Sequence, residues 1–108
     1  MSLSRFRVVF ITAPDETVAT GLATALVEER LAACVNLVPG VRSIYRWEDA
    51  VVEDREWLMI VKTTADRLER LIARATALHP YDTPEVIALP VETGAAGYLA
   101  WLADSCRP

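Results

Sequence analysis

One histidine, one lysine and two cysteines are all that this chain holds of the residues that most often ligate metals or carry nucleophilic chemistry, and each scarcity removes a class of function. Cys34 and Cys106 lie far apart and in no paired-ligand spacing, which argues against a disulfide framework or a zinc site and favours reduced thiols. Positive charge is short too. Eleven Lys and Arg against fifteen Asp and Glu leave a formal net charge of −4, with the basic residues scattered singly among carboxylates, so no nucleic-acid partner is expected. No apolar run approaches the roughly 20 residues of a membrane-spanning helix, and residues 1–5 lead into a strand-like segment without an apolar leader. No membrane partner and a cytoplasmic location are therefore expected. A nucleophile elbow, a phosphate loop and a dinucleotide fingerprint are all absent.

What is present is a 108-residue chain with 53% hydrophobic residues, enough for one core and one domain over residues 1–108. Residues 6–11 are β-branched and aromatic, and Pro14-Asp15-Glu16 marks a helix start. Val18, Leu22, Ala25 and Leu26 recur at helical spacing, predicting a helix that ends near Arg30-Leu31. Residues 34–38 read as a strand that is kinked or bulged at Pro39-Gly40 and resumes over 41–47. An acidic tip, residues 48–54, turns it back into a strand over 57–63. Thr63 and Asp66 have the spacing of a capping box for a second helix, whose Leu68, Leu71, Ile72, Ala75 and Leu78 share a face. Residues 85–91 form a fourth strand, and a short last helix carries Tyr98, Trp101 and Leu102. The order predicts an α+β fold, a ferredoxin-like βαββαβ sandwich with a long hairpin between the second and third strands and a short C-terminal helix.

In that fold both main helices cover one face of the sheet, so an isolated domain should alternate apolar with polar along its strands. Residues 8–11, 57–61 and 86–89 are instead apolar at consecutive positions, which predicts a homo-oligomer joined through the helix-free face.

Residues 79–85, His-Pro-Tyr-Asp-Thr-Pro-Glu, gather the only histidine, a tyrosine and two carboxylates on a backbone stiffened by prolines. Three readings stand: a metal site at His79 with Asp82, Glu85 or Cys34; an acid/base site using His79 with Tyr81 or Glu85; and a structural connector. Tyr45 and Trp47, two apart on one strand, point to one face and suit a neighbouring subunit or a ligand cleft. Lys62 ends an apolar strand, either solvated or in a site.

Glu29 to Asn36, Pro39-Gly40, Ser43 to Glu48, Lys62-Thr63-Thr64, Leu78 to Tyr81 with Pro84-Glu85, and Tyr98 to Leu102 together resemble the CutA family of divalent-cation tolerance proteins over residues 8–102. The resemblance implies a ferredoxin-like homotrimer with an architecture similar to PII signalling proteins, no enzymatic activity, and clefts between subunits where Cys34, Tyr45, Trp47, Lys62, Tyr81 and Glu85 bind a metal ion or small ligand, with His79 as the metal residue. It further implies a role in tolerance of divalent metals, copper above all. The copper ligands of part of the family are a cysteine before Thr-Ala-Pro-Asp and a His-His pair before Pro-Tyr. Here Ile11 and Leu78 stand at two of those places, leaving His79 alone of that set. A PII-like signalling trimer and an enzyme using His79 are the alternatives.

Overall fold

The protein is described here by a computed structural model, which covers residues 4–108; the expectation of no apolar leader thus falls partly on residues 1–3, outside the described residues. Strand β1 (Phe6–Ala13) leads to helix α1 (Glu16–Glu28), then to β2 (Cys34–Trp47) and β3 (Ala50–Thr64). A 3-10 turn (Ala65–Arg67) opens helix α2 (Leu68–Leu78), followed by β4 (Val86–Pro90) and helix α3 (Ala96–Ser105). The four strands form one antiparallel sheet in the order β2-β3-β1-β4. This is the ferredoxin-like α+β arrangement that the element order predicts.

The start of α1 follows from Asp15, whose extended backbone and carboxylate cap the helix by accepting from Val18 N–H at 2.9 Å. The start of α2 differs from expectation. Thr63 makes no capping box: it is fully buried in β3, and its hydroxyl donates at 2.6 Å to the Leu31 carbonyl, just beyond the end of α1. A long-range acceptor thus replaces the local one, and the strand runs one residue further before the 3-10 turn. Helix α1 also ends two residues short of the predicted stop, because Arg30 takes φ 59° and the chain reverses there.

The hairpin is the second difference. Residues 48–54 do not form a broad tip; the turn is Glu48-Asp49 alone, with φ 49° and 64°, and β3 begins at Ala50. Pairing extends outward because Arg42 holds Glu53 across the strands at 3.0 Å and Val51 and Val52 continue the strand pattern. The result is an arm of two long strands.

At Pro39-Gly40 two residues of β2 oppose Trp57 alone, and Gly40 takes φ 75°. This bulge shifts the parity of β2. Cys34, Asn36 and Val38 share a face with Lys62, Ile60 and Leu58, and after the bulge Val41, Ser43 and Tyr45 share that same face with Glu56, Asp54 and Val52. On the other face Val9, Ile11, Met59 and Val61 are fully buried with Leu26, Leu71 and Ala75 of the two helices. Leu102 of α3 and Cys106 just after it form a smaller cluster with Ala33, against which Phe6 packs. That leaves the helix-free face apolar and open in one copy of the chain: Ile87 is 53% and Leu89 48% exposed.

Candidate functional site

The bulge and the proline connector together build a cleft of about 710 Å³. Its strand wall is Ser43, Tyr45 and Trp47 of β2 with Asp54 and Glu56 of β3; its loop wall is Pro80, Tyr81, Asp82, Thr83 and Glu85, with Thr12 between. The strand residues converge because the period of two and the shifted parity aim them to one side. The loop is aimed by His79. Its backbone N–H still bonds to Ala75 O, and Pro80 forbids a further helical turn. The imidazole is 7% exposed; Nδ1 accepts from Tyr81 N–H at 3.1 Å, so Nε2 carries the proton and donates to the Thr12 carbonyl at 2.7 Å. His79 thereby ties the connector to β1 and sets Tyr81, whose ring lies 4.7 Å from the imidazole, over the cleft.

Tyr81 then donates its hydroxyl to Glu56 Oε2 at 3.0 Å, and Tyr45 donates to Asp54. Burial first, and then the bond to Glu56, push the Tyr81 phenol from 10.0 up to about 12. The bond to Asp54 is the main cause that raises Tyr45. Both phenols therefore stay neutral donors and hold the carboxylates in place. The lining holds four carboxylates, Asp54, Glu56, Asp82 and Glu85, and neither lysine nor arginine.

Of the predicted site residues, Tyr45, Trp47, Tyr81 and Glu85 line this cleft, and His79 lies behind it. Cys34 and Lys62 do not. They pair across β2 and β3 six residues from Glu56, roughly 20 Å along the strand. There Lys62 donates to Asn36, and Tyr98 of α3, raised by burial and by the neighbouring Cys34 thiol, joins the group. Asp54, Glu56, Thr12 and Ser43 were not among the predicted residues. The spacing of two between Asp54 and Glu56 carried a signal, since it places both carboxylates on one face of a strand. It was masked by reading residues 48–54 as a loop.

Among the described residues copper finds no fitting donor set within one chain. Both nitrogens of His79 are engaged, so a metal there would have to displace one of these bonds, and Cys34 is at the other end of the sheet. Among the described residues no three His, Cys, Asp or Glu side chains converge into a ready metal cage.

Residues 7–105 match the CutA1 divalent ion tolerance protein family. The chain is 57% identical over 98 residues to the divalent-cation tolerance protein CutA of Thermus thermophilus, covering 91% of this chain and 95% of that one. It is 49% identical over 100 residues to the chloroplastic protein CutA of Arabidopsis thaliana, covering 93% of this chain but 55% of the plant protein. Among solved structures, the Thermus thermophilus divalent cation tolerance protein superimposes with a TM-score of 0.91 at 56% identity, covering 93% and 97% of the two chains. CutA of Xylella fastidiosa does so with a TM-score of 0.94 at 39% identity, covering 96% and 100%.

Proposed function

Because the chain belongs to the CutA1 divalent ion tolerance family, we propose that it serves divalent-cation tolerance as a cytoplasmic homotrimer without a reaction of its own, with the acidic cleft as its ligand site. The observation that carries this reading is the cleft's charge: four carboxylates and no basic side chain in one concavity, within a protein of net charge −4. Such a site concentrates cations. Asp54 and Glu56, each bonded to a tyrosine through one oxygen, keep the other for a ligand. That suits a hydrated hard cation or a small positively charged molecule better than a dehydrated soft metal. Trimerisation through the helix-free face is supported by its exposed apolar side chains, and the free Cys34 and Cys106 thiols suit a reducing compartment.

Calorimetric titration of metal-free protein with manganese(II), zinc(II) and copper(II) tests the reading. Binding of manganese or zinc clearly tighter than roughly millimolar, about −4 kcal/mol, is expected, weakened by Asp54→Asn and left intact by Cys34→Ala. Copper binding abolished by His79→Ala and unaffected by Asp54→Asn would move the site from the carboxylates to the imidazole.

A further inference from the structure

We propose that the groove between the end of α1 and helix α2 is an anion site, and that its ligand is a small phosphomonoester on a compact apolar body. The groove lies in the helix layer, on the opposite side of the sheet from the face that joins copies in the proposed trimer, so it is open in one copy and in the assembly alike. Three observations point to an anion. First, Arg67 is 7% exposed, yet no carboxylate lies within 4.0 Å of it among the described residues. Its Nε donates to the neutral Arg30 carbonyl at 3.2 Å. The terminal nitrogens have no partner and are not sealed off, since Thr64 Oγ1 alone is buried without a partner among the described residues, so the guanidinium ends at the groove that Arg67 lines. A charge this far withdrawn from water and bonded only to a neutral group is matched by an anion from solution. Second, Arg70 lines the same groove three residues on, a spacing that puts side chains on one helix face, and it too lacks a carboxylate partner among the described residues. Asp66 and Glu69, interleaved with these arginines in sequence, are not in the lining. Third, the carboxylate that does line the groove, Glu29, is already engaged by Arg74 through contacts of 3.0 to 3.2 Å. The groove thus keeps two uncompensated positive charges in a protein of net charge −4.

The roles divide accordingly. Arg67 and Arg70 donate to the phosphate oxygens, and two guanidinium forks with two charges suit a phosphate dianion better than a singly charged carboxylate. Leu31, Ala73 and Ala77 give the organic part an apolar wall, and about 490 Å³ lies in the range that holds a small molecule rather than a bare ion. Glu29 tempers the site. Removing its charge while keeping its size would free Arg74 as a third positive group.

The test titrates the intact protein by calorimetry, at low ionic strength and about pH 7.5, above the second phosphate pKa of about 6, with phenyl phosphate, inorganic phosphate and benzoate. Phenyl phosphate is expected to bind below about millimolar, inorganic phosphate more weakly because it leaves the apolar wall uncovered, and benzoate at least about tenfold more weakly than phenyl phosphate. Arg70→Gln, at an exposed position, should weaken phenyl phosphate by about tenfold with far-ultraviolet dichroism unchanged. Arg67→Lys, which keeps the charge and loses the fork, should weaken it by roughly fivefold or more, and Glu29→Gln should tighten it by about threefold. Asp54→Asn, across the sheet in the acidic cleft, should leave it unchanged, so this site and the cation site stand or fall separately. Benzoate binding as tightly as phenyl phosphate, or weaker binding in Glu29→Gln, would overturn the proposal. Phenyl phosphate binding indifferent to Arg70→Gln would overturn it even if Arg67→Lys disturbs folding, and so would no response to any of the three anions up to about 10 mM.

Discussion

Tyr81 shows how one side chain can be read from both directions. Its backbone N–H bonds to His79, its ring packs on the imidazole and its hydroxyl bonds to Glu56, so it joins the connector to the sheet and presents a carboxylate to the cleft. Its phenol is held at about 12 in the folded chain against 10.0 in the open one. The folded state therefore retains a proton that the unfolded state releases between those values. The stabilisation is complete below pH 10 and is lost as pH rises through the folded value. Urea midpoints measured across that window should fall with pH, and Tyr81→Phe should flatten the fall without abolishing it, because Tyr45 and Tyr98 are raised as well. An identical slope in the variant would mean that the Glu56 contact does not hold the phenol neutral.

At the scale of elements, the hairpin turn is the place where local preference and tertiary structure disagree. A two-residue turn with both φ values positive fits the twist of paired strands, yet Glu48 and Asp49 occupy it. Neither is glycine, and a left-handed side-chain residue is strained by about 1 kcal/mol or more. Replacing the pair by Asn-Gly should raise stability by about 1 kcal/mol, or about 4 °C in Tm for a chain of this size; no gain would mean that the arm is held at its tip by other contacts.

The same turn marks the limit of what could be read from the chain. Element order, the bulge at Pro39-Gly40 and the stop at His79-Pro80 were legible because proline, glycine and hydrophobic period act locally. The length of the turn was not, since residues 48–54 read as one acidic loop whereas the chain reverses at Glu48-Asp49 and β3 begins at Ala50. Thr63 misled for a related reason: its partner, the Leu31 carbonyl, is 32 residues away. In the cleft, the aromatic residues and Glu85 were legible, but Glu56 reads as an ordinary strand-end carboxylate until Tyr81 is folded over it. Cys34 and Lys62 were placed by resemblance at clefts between subunits; within one chain the register puts them six residues along the strand from Glu56.

For the whole molecule, surface is in excess. A folded monomer of 11.9 kDa is expected to expose about 5,900 Å², and this chain exposes 6855 Å². Its radius of gyration, 14.5 Å, also exceeds the roughly 13 Å of a compact domain of this length. On the exposed sheet face Val38, Ile87 and Leu89 stand in solvent, and Tyr98 and Trp101 of α3 are also exposed. A stable isolated monomer would leave this apolar sheet uncovered, whereas copies joined through it would bury the sheet and give the arm a neighbour to lie on. Leu89 sits on the edge strand, opposite Val8, and faces away from the core of its own chain. Leu89→Asp should therefore leave the fold of one copy intact but place a charge inside the contact between copies, at a penalty of several kcal/mol at each such contact. Sedimentation equilibrium at micromolar concentration should give three times the chain mass for the unaltered protein and a shift toward the single-chain mass for the variant, with far-ultraviolet dichroism unchanged. A single-chain mass for the unaltered protein would remove the trimer, and the exposed sheet would then need another cover.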